Sequence, residues 1–264
     1  MSKMDEKFLS RREFLTISSA LGIATLGSTL LSGCGGSDGN TTTRQPSRDE
    51  EILGAAQIAE ALATTMYTAI IEQAPFFQRL DAFDQNYFRA AREVEMAHYQ
   101  LLMSALNNRP TPVTTFYFPQ GMFTDARVTL DTLVTLEEAF IAAYVVGVRD
   151  LSTPELKVTA ARILAVESDH RTVARVVATD IDPADGGPFT TVRGLSGQQE
   201  PVDPPNDNAF ARTYQLRSIA DAVNALRPFI NREAAQQAGH DVNRPFEFRP
   251  FTPRLPNPRG GVNG

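Results

Sequence analysis

Two of the chain's three histidines stand in one frame, Val94-Glu95-Met96-Ala97-His98 and Val166-Glu167-Ser168-Asp169-His170. Positions i and i+3 of a helix share a face, so each frame aims a carboxylate oxygen and an imidazole nitrogen at one point. Two such points can hold two metal ions if further carboxylates converge on them. Oxygen and nitrogen donors of this kind suit Fe(II) or Mn(II). The single cysteine, Cys34, excludes an intrachain disulfide and leaves no thiolate for an iron–sulfur cluster or a cysteine–zinc site.

The elements that must position these residues are legible from apolar spacing at three and four residues and from the punctuation between. Four amphipathic helices are predicted, over residues 50–74 (stopped by Pro75), 84–107 (ended before Pro110 and Pro112), 125–150 (capped by Thr124 or Asp125) and 154–179. The last has Thr153 as cap, Pro154 at its first position and Glu155 behind. Short links make antiparallel hairpins of the first and second pairs. Between them lie about 16 residues, 108–123, which reach about 50 Å when extended, more than the roughly 36 Å length of a 24-residue helix. One long crossover between two hairpins is therefore expected, with the bundle occupying residues 49–180.

Register brings further acids to the frames. At about 1.5 Å of rise per residue, Glu60 lies level with Glu95 and His98 in the first hairpin, and Glu137 level with Glu167 and His170 in the second. Glu72 and Glu155 sit by the turns and fail this test; Glu138 is an alternative to Glu137, about 100° around its helix. The hairpins also repeat each other. Tyr67 follows Glu60 by seven residues and Tyr144 follows Glu137 by seven, while Ala90-Ala91-Arg92 and Ala160-Ala161-Arg162 precede the two frames. Such a repeat implies a pseudo-two-fold axis and a symmetric pair of sites. Arg92 and Arg162 lie near enough in height to offer the acids partners.

Glu60, Glu95-x-x-His98, Glu137 and Glu167-x-x-His170 together resemble the ligand set of the ferritin-like dimetal-carboxylate proteins. The segments around Glu60 and Glu137 are most similar to the bacterial ferritin-like domains grouped with desiccation-related proteins. The resemblance implies an all-α ferritin-like four-helix bundle holding two Fe ions per chain, or Mn in their place. Glu95 and Glu167 would bridge, and Glu60 with His98 and Glu137 with His170 would be terminal ligands. It further implies oxidoreductase chemistry on dioxygen or peroxide, as an oxidase, ferroxidase or peroxide-reducing enzyme. The alternative is a non-catalytic bundle with a structural, binding or stress-protective role. Many oxygen-activating relatives carry an Asp immediately before the Glu of the frame; Val94 and Val166 stand there, which argues against a monooxygenase or radical-generating role. Tyr67, Tyr99 and Tyr144 read either as redox neighbours or as ordinary core residues.

The ends carry an address. Ser10-Arg11-Arg12-Glu13-Phe14-Leu15 resembles the twin-arginine export motif; an apolar run over 14–31 follows, and Leu31-Ser32-Gly33-Cys34 resembles a lipobox. Residues 1–34 are thus expected to be a signal peptide handled by the twin-arginine translocase. Cys34 is expected to carry membrane lipid, residues 35–48 to be a flexible tether, and the mature protein to be an extracytoplasmic lipoprotein, at the periplasmic face or cell surface. A net charge of −6 without a basic cluster after the signal excludes nucleic acid as a partner. Residues 181–264 form a Pro/Gly-rich extension: loop over 181–206, a fifth helix over 208–226 ended by Pro228, and a tail from 245 that either wraps the bundle or stays disordered. His240, between Gly239 and Asp241, reads as a surface turn residue.

Overall fold

Four long helices carry the middle of the chain in the computed structural model, which describes residues 46–206 and 216–254. The export signal, Cys34 and most of the tether lie outside the described residues. α1 (Arg48–Gln73) opens on a capping box in which Ser47 and Glu50 each accept the other's backbone N–H, and three acids follow in its first turn. α2 (Ala82–Ala105) is capped by Asp81, α3 (Ala126–Asp150) by Asp125 and α4 (Pro154–Asp180) by Thr153, each side chain accepting a first-turn N–H. The capping box starts α1 two residues before the predicted bound. α2 stops two residues short of it, because Asn107 and Asn108 both turn left-handed at φ 57°.

The ends of the helices fix the topology. Arg109 pairs with Glu50 at 2.9 Å and Arg48 with Asp150 at 2.9 Å, so the end of α2, the start of α1 and the end of α3 meet at one end of the bundle. Arg79, in the 3₁₀ turn Pro75–Arg79, pairs with Asp185 at the opposite end. α1 packs on α2 and α3 on α4, and the segment from Leu106 to Asp125 travels the bundle's length between the two hairpins. The result is the expected all-α bundle with one long crossover. Gln57 Nε2 donates to the Arg109 carbonyl at 2.9 Å, and the Thr111 N–H to the Tyr99 hydroxyl at 3.2 Å, holding the crossover's first stretch down.

The segment after α4, expected as loop, is partly ordered into elements. Residues 181–206 contain a 3₁₀ turn (Pro183–Asp185) and an antiparallel hairpin of β2 (Thr191–Arg193) and β3 (Gln199–Pro201), while β1 (Thr115–Phe116) lies in the crossover. Of the helix expected over 208–226, residues 208–215 lie outside the described residues; α5 runs Ile219–Ile230. Ser218 caps it with Asp221 in a second capping box, and Leu216 and Arg217 are not helical. Pro228 does not end it. A proline in the last turn removes only one backbone bond, and Phe229 and Ile230 are buried beyond it. A short α6 (Arg232–Gln237) follows, and β4 (Phe246–Glu247) pairs antiparallel with β1 in the register Thr115↔Glu247, Phe116↔Phe246. The described part of the tail therefore wraps. Phe248 meets Tyr99 with ring centroids 4.8 Å apart, and the Arg92 guanidinium lies 5.2 Å over Phe251. His240 is likewise no free surface residue: its Nδ1 lies 3.0 Å from the Tyr117 carbonyl and its ring packs on Phe229.

α1 and α3 are buried nearly all round over their middle turns, whereas α2 and α4 each bury one stripe. In α2 it is Asp84, Phe88, Ala91, Glu95, His98, Tyr99 and Leu102; in α4 it is Ala160, Ile163, Glu167, His170, Ala174 and Val177. Asp84 is the odd member at the bundle's end. Burial, then Asp81 and Asp180, raise its pKa to about 6. A carboxyl raised in the fold contributes stability below its unfolded pKa and loses it as pH rises through about 6. Asp84→Asn is therefore expected to stabilise the protein at pH 8 by about 1 kcal/mol, after discounting for nearby solvent, and to give no gain at pH 4. Thermal denaturation at the two pH values checks this.

Candidate metal centre

Each functional side chain stands near the middle of its helix, on the stripe that faces the bundle axis. α1 supplies Glu60, α2 Glu95 and His98, α3 Glu137, and α4 Glu167 and His170; all six are buried, with Glu95, Glu137 and Glu167 fully so. Their ligand atoms form two overlapping groups, Glu60, Glu95, His98 and Glu167 in one, and Glu95, Glu137, Glu167 and His170 in the other. Within each group one atom per residue lies within 4.8 Å of all the others. Glu95 and Glu167 belong to both. His98 Nδ1 is 3.4 Å from oxygens of Glu60, Glu95 and Glu167; His170 Nδ1 is 2.7 Å from Glu95 and 3.3 Å from Glu167.

Several of the cluster's polar atoms have no hydrogen-bond partner among the described residues. Both oxygens of Glu95 and of Glu167, Glu137 Oε2 and the Nδ1 atoms of both histidines are buried without a hydrogen bond. Burial pushes Glu60 and Glu137 well above the ordinary carboxylate range, and the neighbouring acids add to it against the pull of the histidines. Burial also opposes charge on His98 and His170, yet the surrounding carboxylates outweigh it and raise both well above a free imidazole. At Glu95 burial is outweighed by His170 and His98, which hold it below the usual range. Four buried carboxylates with unsatisfied oxygens and two imidazoles match the donor chemistry and charge of two divalent ions.

The expected arginine partners are elsewhere. Arg92 bonds Glu93 at 2.6 Å and stacks beneath Phe251 of the tail, and Arg162 is exposed, so both leave their helices away from the cluster. Glu138 is also kept apart. It is buried, but its Oε1 accepts from Arg171 Nε at 2.8 Å and its Oε2 from the Leu195 N–H at 2.7 Å.

The tyrosines bind across the pseudo-axis. Tyr67 of α1 donates to Glu137 Oε1 of α3 at 2.7 Å, and Tyr144 of α3 donates to Glu60 Oε1 of α1. Burial, with the adjacent carboxylates, raises both phenols well above their ordinary value, so they remain donors. Tyr99 takes no part; its hydroxyl holds the crossover.

A family model described as a ferritin-like domain matches residues 48–180, half of the chain and the whole four-helix bundle. The chain belongs to the ferritin-like family. No curated protein and no solved structure matches it. The ferritin-like segment contains all six candidate ligands and both tyrosines, and ends where α4 ends.

Sequence reasoning missed the polar anchor beside the cluster. Arg171 and Arg175, both buried, tie α4 to Glu138 and to the Pro201 and Pro204 carbonyls, fastening the β2–β3 hairpin to the bundle. The signal was two arginines four apart, one of them next to His170, on an otherwise apolar stripe. Removing a hydroxyl that orients a ligand weakens metal binding without unfolding a protein. Tyr144→Phe and Tyr67→Phe are therefore each expected to lower Mn(II) or Fe(II) affinity about 10-fold, with unchanged circular dichroism. Metal titration of the apo-protein checks it.

Proposed function

We propose that this protein is an exported, lipid-anchored ferritin-like protein that binds a dinuclear Fe or Mn centre and carries out redox chemistry on dioxygen or peroxide. The observation that carries the reading is the sharing of Glu95 and Glu167 between two groups of buried ligands, seven of whose oxygen and nitrogen atoms lack hydrogen-bond partners. Glu60 with His98 would hold one ion and Glu137 with His170 the other, the shared acids lying between. A metal pair supplies the electron-transfer steps with the oxidant.

The chain's own residues do the rest. Tyr144 and Tyr67 each occupy one oxygen of a terminal acid, which fixes the direction of its free oxygen. The apolar stripes around the cluster exclude water from the buried ligands. His98 is the most open member, its side chain 11% exposed against 3% for His170, and marks the side nearest solvent.

Twin-arginine export of an already folded chain fits a site filled before translocation, with Cys34 then holding the mature protein at the membrane. Val94 and Val166, in place of acids that would orient the histidines, favour modest reactivity and support a second reading: a metal-binding bundle without turnover, of the desiccation-related type.

Metal analysis of the purified protein tests the proposal, followed by anaerobic Fe(II) or Mn(II) loading and assay of peroxide and dioxygen consumption. About two ions per chain with turnover supports the enzyme, two ions without turnover the second reading, and no ion under any loading sinks both. Cell fractionation of the wild type and Cys34→Ser tests the anchor, with loss from the membrane fraction expected for the variant.

A further inference from the structure

The two halves of the bundle differ in one respect that the repeat makes measurable. Beside Tyr144 lies a part-open pocket of about 40 Å³, walled by α1, α3, α4 and α5 with Leu102 of α2, and almost wholly apolar. Its lining includes Ala143, Gly147, Thr159 and Ala160, with the ring of Tyr144 forming the wall toward Glu60. The repeat aligns Glu60 with Glu137 and Glu95 with Glu167. On that alignment Met66 corresponds to Ala143, Ile70 to Gly147, Tyr87 to Thr159 and Phe88 to Ala160. The first half is filled: Met66, Ile70 and Phe88 are buried, Phe88 packs edge-on against Tyr67 at 5.9 Å, and Tyr87 lies 6.1 Å from His170. In the second half the matching residues are small, and α5 lays Ile219, Ala222, Val223 and Leu226 over the space they leave without filling it.

A space lined by apolar side chains excludes ordered water and suits an apolar occupant. The space is large enough for a few atoms, and its lining offers an occupant no charge to pair with. Both hydroxyls of its lining are already committed, Tyr144's to Glu60 and Thr159's to the Glu155 carbonyl. We propose that this chamber receives a small apolar molecule without hydrogen-bonding groups and holds it beside the Glu60–His98 half of the cluster; dioxygen is the co-substrate of that description. The assignment rests on the dimetal redox reading, and it makes the two half-sites unequal, with the oxidant admitted at the half bearing Glu60. A short hydrocarbon shares the chemistry and is separated by the test.

Xenon, an apolar probe of gas size, decides occupancy without metal. Methyl NMR of the metal-free protein under xenon pressure is expected to shift the Ala143 and Ala160 signals. Ala160→Phe, which copies Phe88 of the other half, is expected to abolish xenon binding and keep the wild-type circular dichroism spectrum. Ala143→Met, which copies Met66, provides a second filling should the first variant fail to fold. n-Hexane titrated in the same way separates the sources: shifts with xenon alone indicate a gas site, and shifts with both indicate a hydrocarbon site.

In the Fe(II)-loaded protein, Ala160→Phe is expected to retain its metal and slow oxidation by dissolved dioxygen about tenfold or more, the scale of effect of displacing a reactant from its partner. No xenon response in the wild type overturns the chamber, and a filled variant that oxidises at the wild-type rate overturns its role. Failure to load Fe(II) sinks the dimetal reading instead, while the xenon result stands by itself.

Discussion

Glu95→Ala and Glu167→Ala are each expected to empty both metal positions, whereas Glu60→Ala and Glu137→Ala should each empty one. The difference follows from membership: the first two acids contribute to both ligand groups and the second two to one group each. Mass-spectrometric metal analysis should read about two ions per chain in the wild type, near zero in the shared-acid variants and about one in the others. An equal loss across all four variants, or a full complement in Glu95→Ala, would defeat the shared arrangement.

Stability should move the opposite way in the metal-free protein. Glu60 and Glu137 lie buried with raised pKa values, so ionising them at neutral pH costs free energy that no ion then offsets. Glu60→Gln and Glu137→Gln are therefore expected to raise the melting temperature of apo-protein at pH 8 while weakening metal binding. In the wild type, added metal at 100 times its Kd should contribute about 2.7 kcal/mol, read as a rise in Tm that chelator reverses.

The second large effect belongs to the buried pair outside the cluster. Arg171→Ala removes the Nε–H donor to Glu138 Oε1, leaving a buried carboxylate held by the Leu195 N–H. Breaking one side of a buried ion pair costs roughly 3–5 kcal/mol, far more than loss of an exposed pair. Urea denaturation should show that loss, and the double variant Glu138→Leu with Arg171→Met should recover most of it. Metal content is expected to stay at the wild-type level in the double variant, which separates Glu138 from its neighbour Glu137. Gly194→Ala should destabilise through the same point, because a Cβ there would lie 2.5 Å from Glu138 Oε2.

How much of this was legible depended on how locally each feature is encoded. Caps and prolines are local, so Ser47 aside, Asp125 and Thr153 marked helix starts and Pro75 a stop within a residue or two. The ligand frames are local too, and helix rise alone placed Glu60 and Glu137 level with them. The partners of Arg92, Arg162 and Arg171 were not legible. Which face of a helix an arginine leaves from depends on a few tens of degrees of rotation, and the acid that receives it sits on another helix. The β2–β3 hairpin escaped because Thr191–Arg193 and Gln199–Pro201 carry no alternating apolar pattern; only Val192 and Glu200 point inward, and the latter is charged. Pro228 misled because a helix-breaking residue was weighed without the two buried residues after it. The cross-bonded tyrosines were visible only as a repeat in spacing, since a spacing within one helix says nothing about which helix receives the hydroxyl.

Those reciprocal bonds say something about how such a molecule is put together. The hairpin of α1 and α2 carries a glutamate whose tyrosine lies in the other hairpin, and the other hairpin is in the same position. Neither is chemically finished alone. Two copies of one hairpin, related by a two-fold axis, would complete each other's glutamate–tyrosine bonds with no new residue, and the crossover from Leu106 to Asp125 joins them into one polypeptide. The chain is in this sense a tethered homodimer. Joining the copies frees them from identity: Met66 and Phe88 pack one half where Ala143 and Ala160 stand in the other.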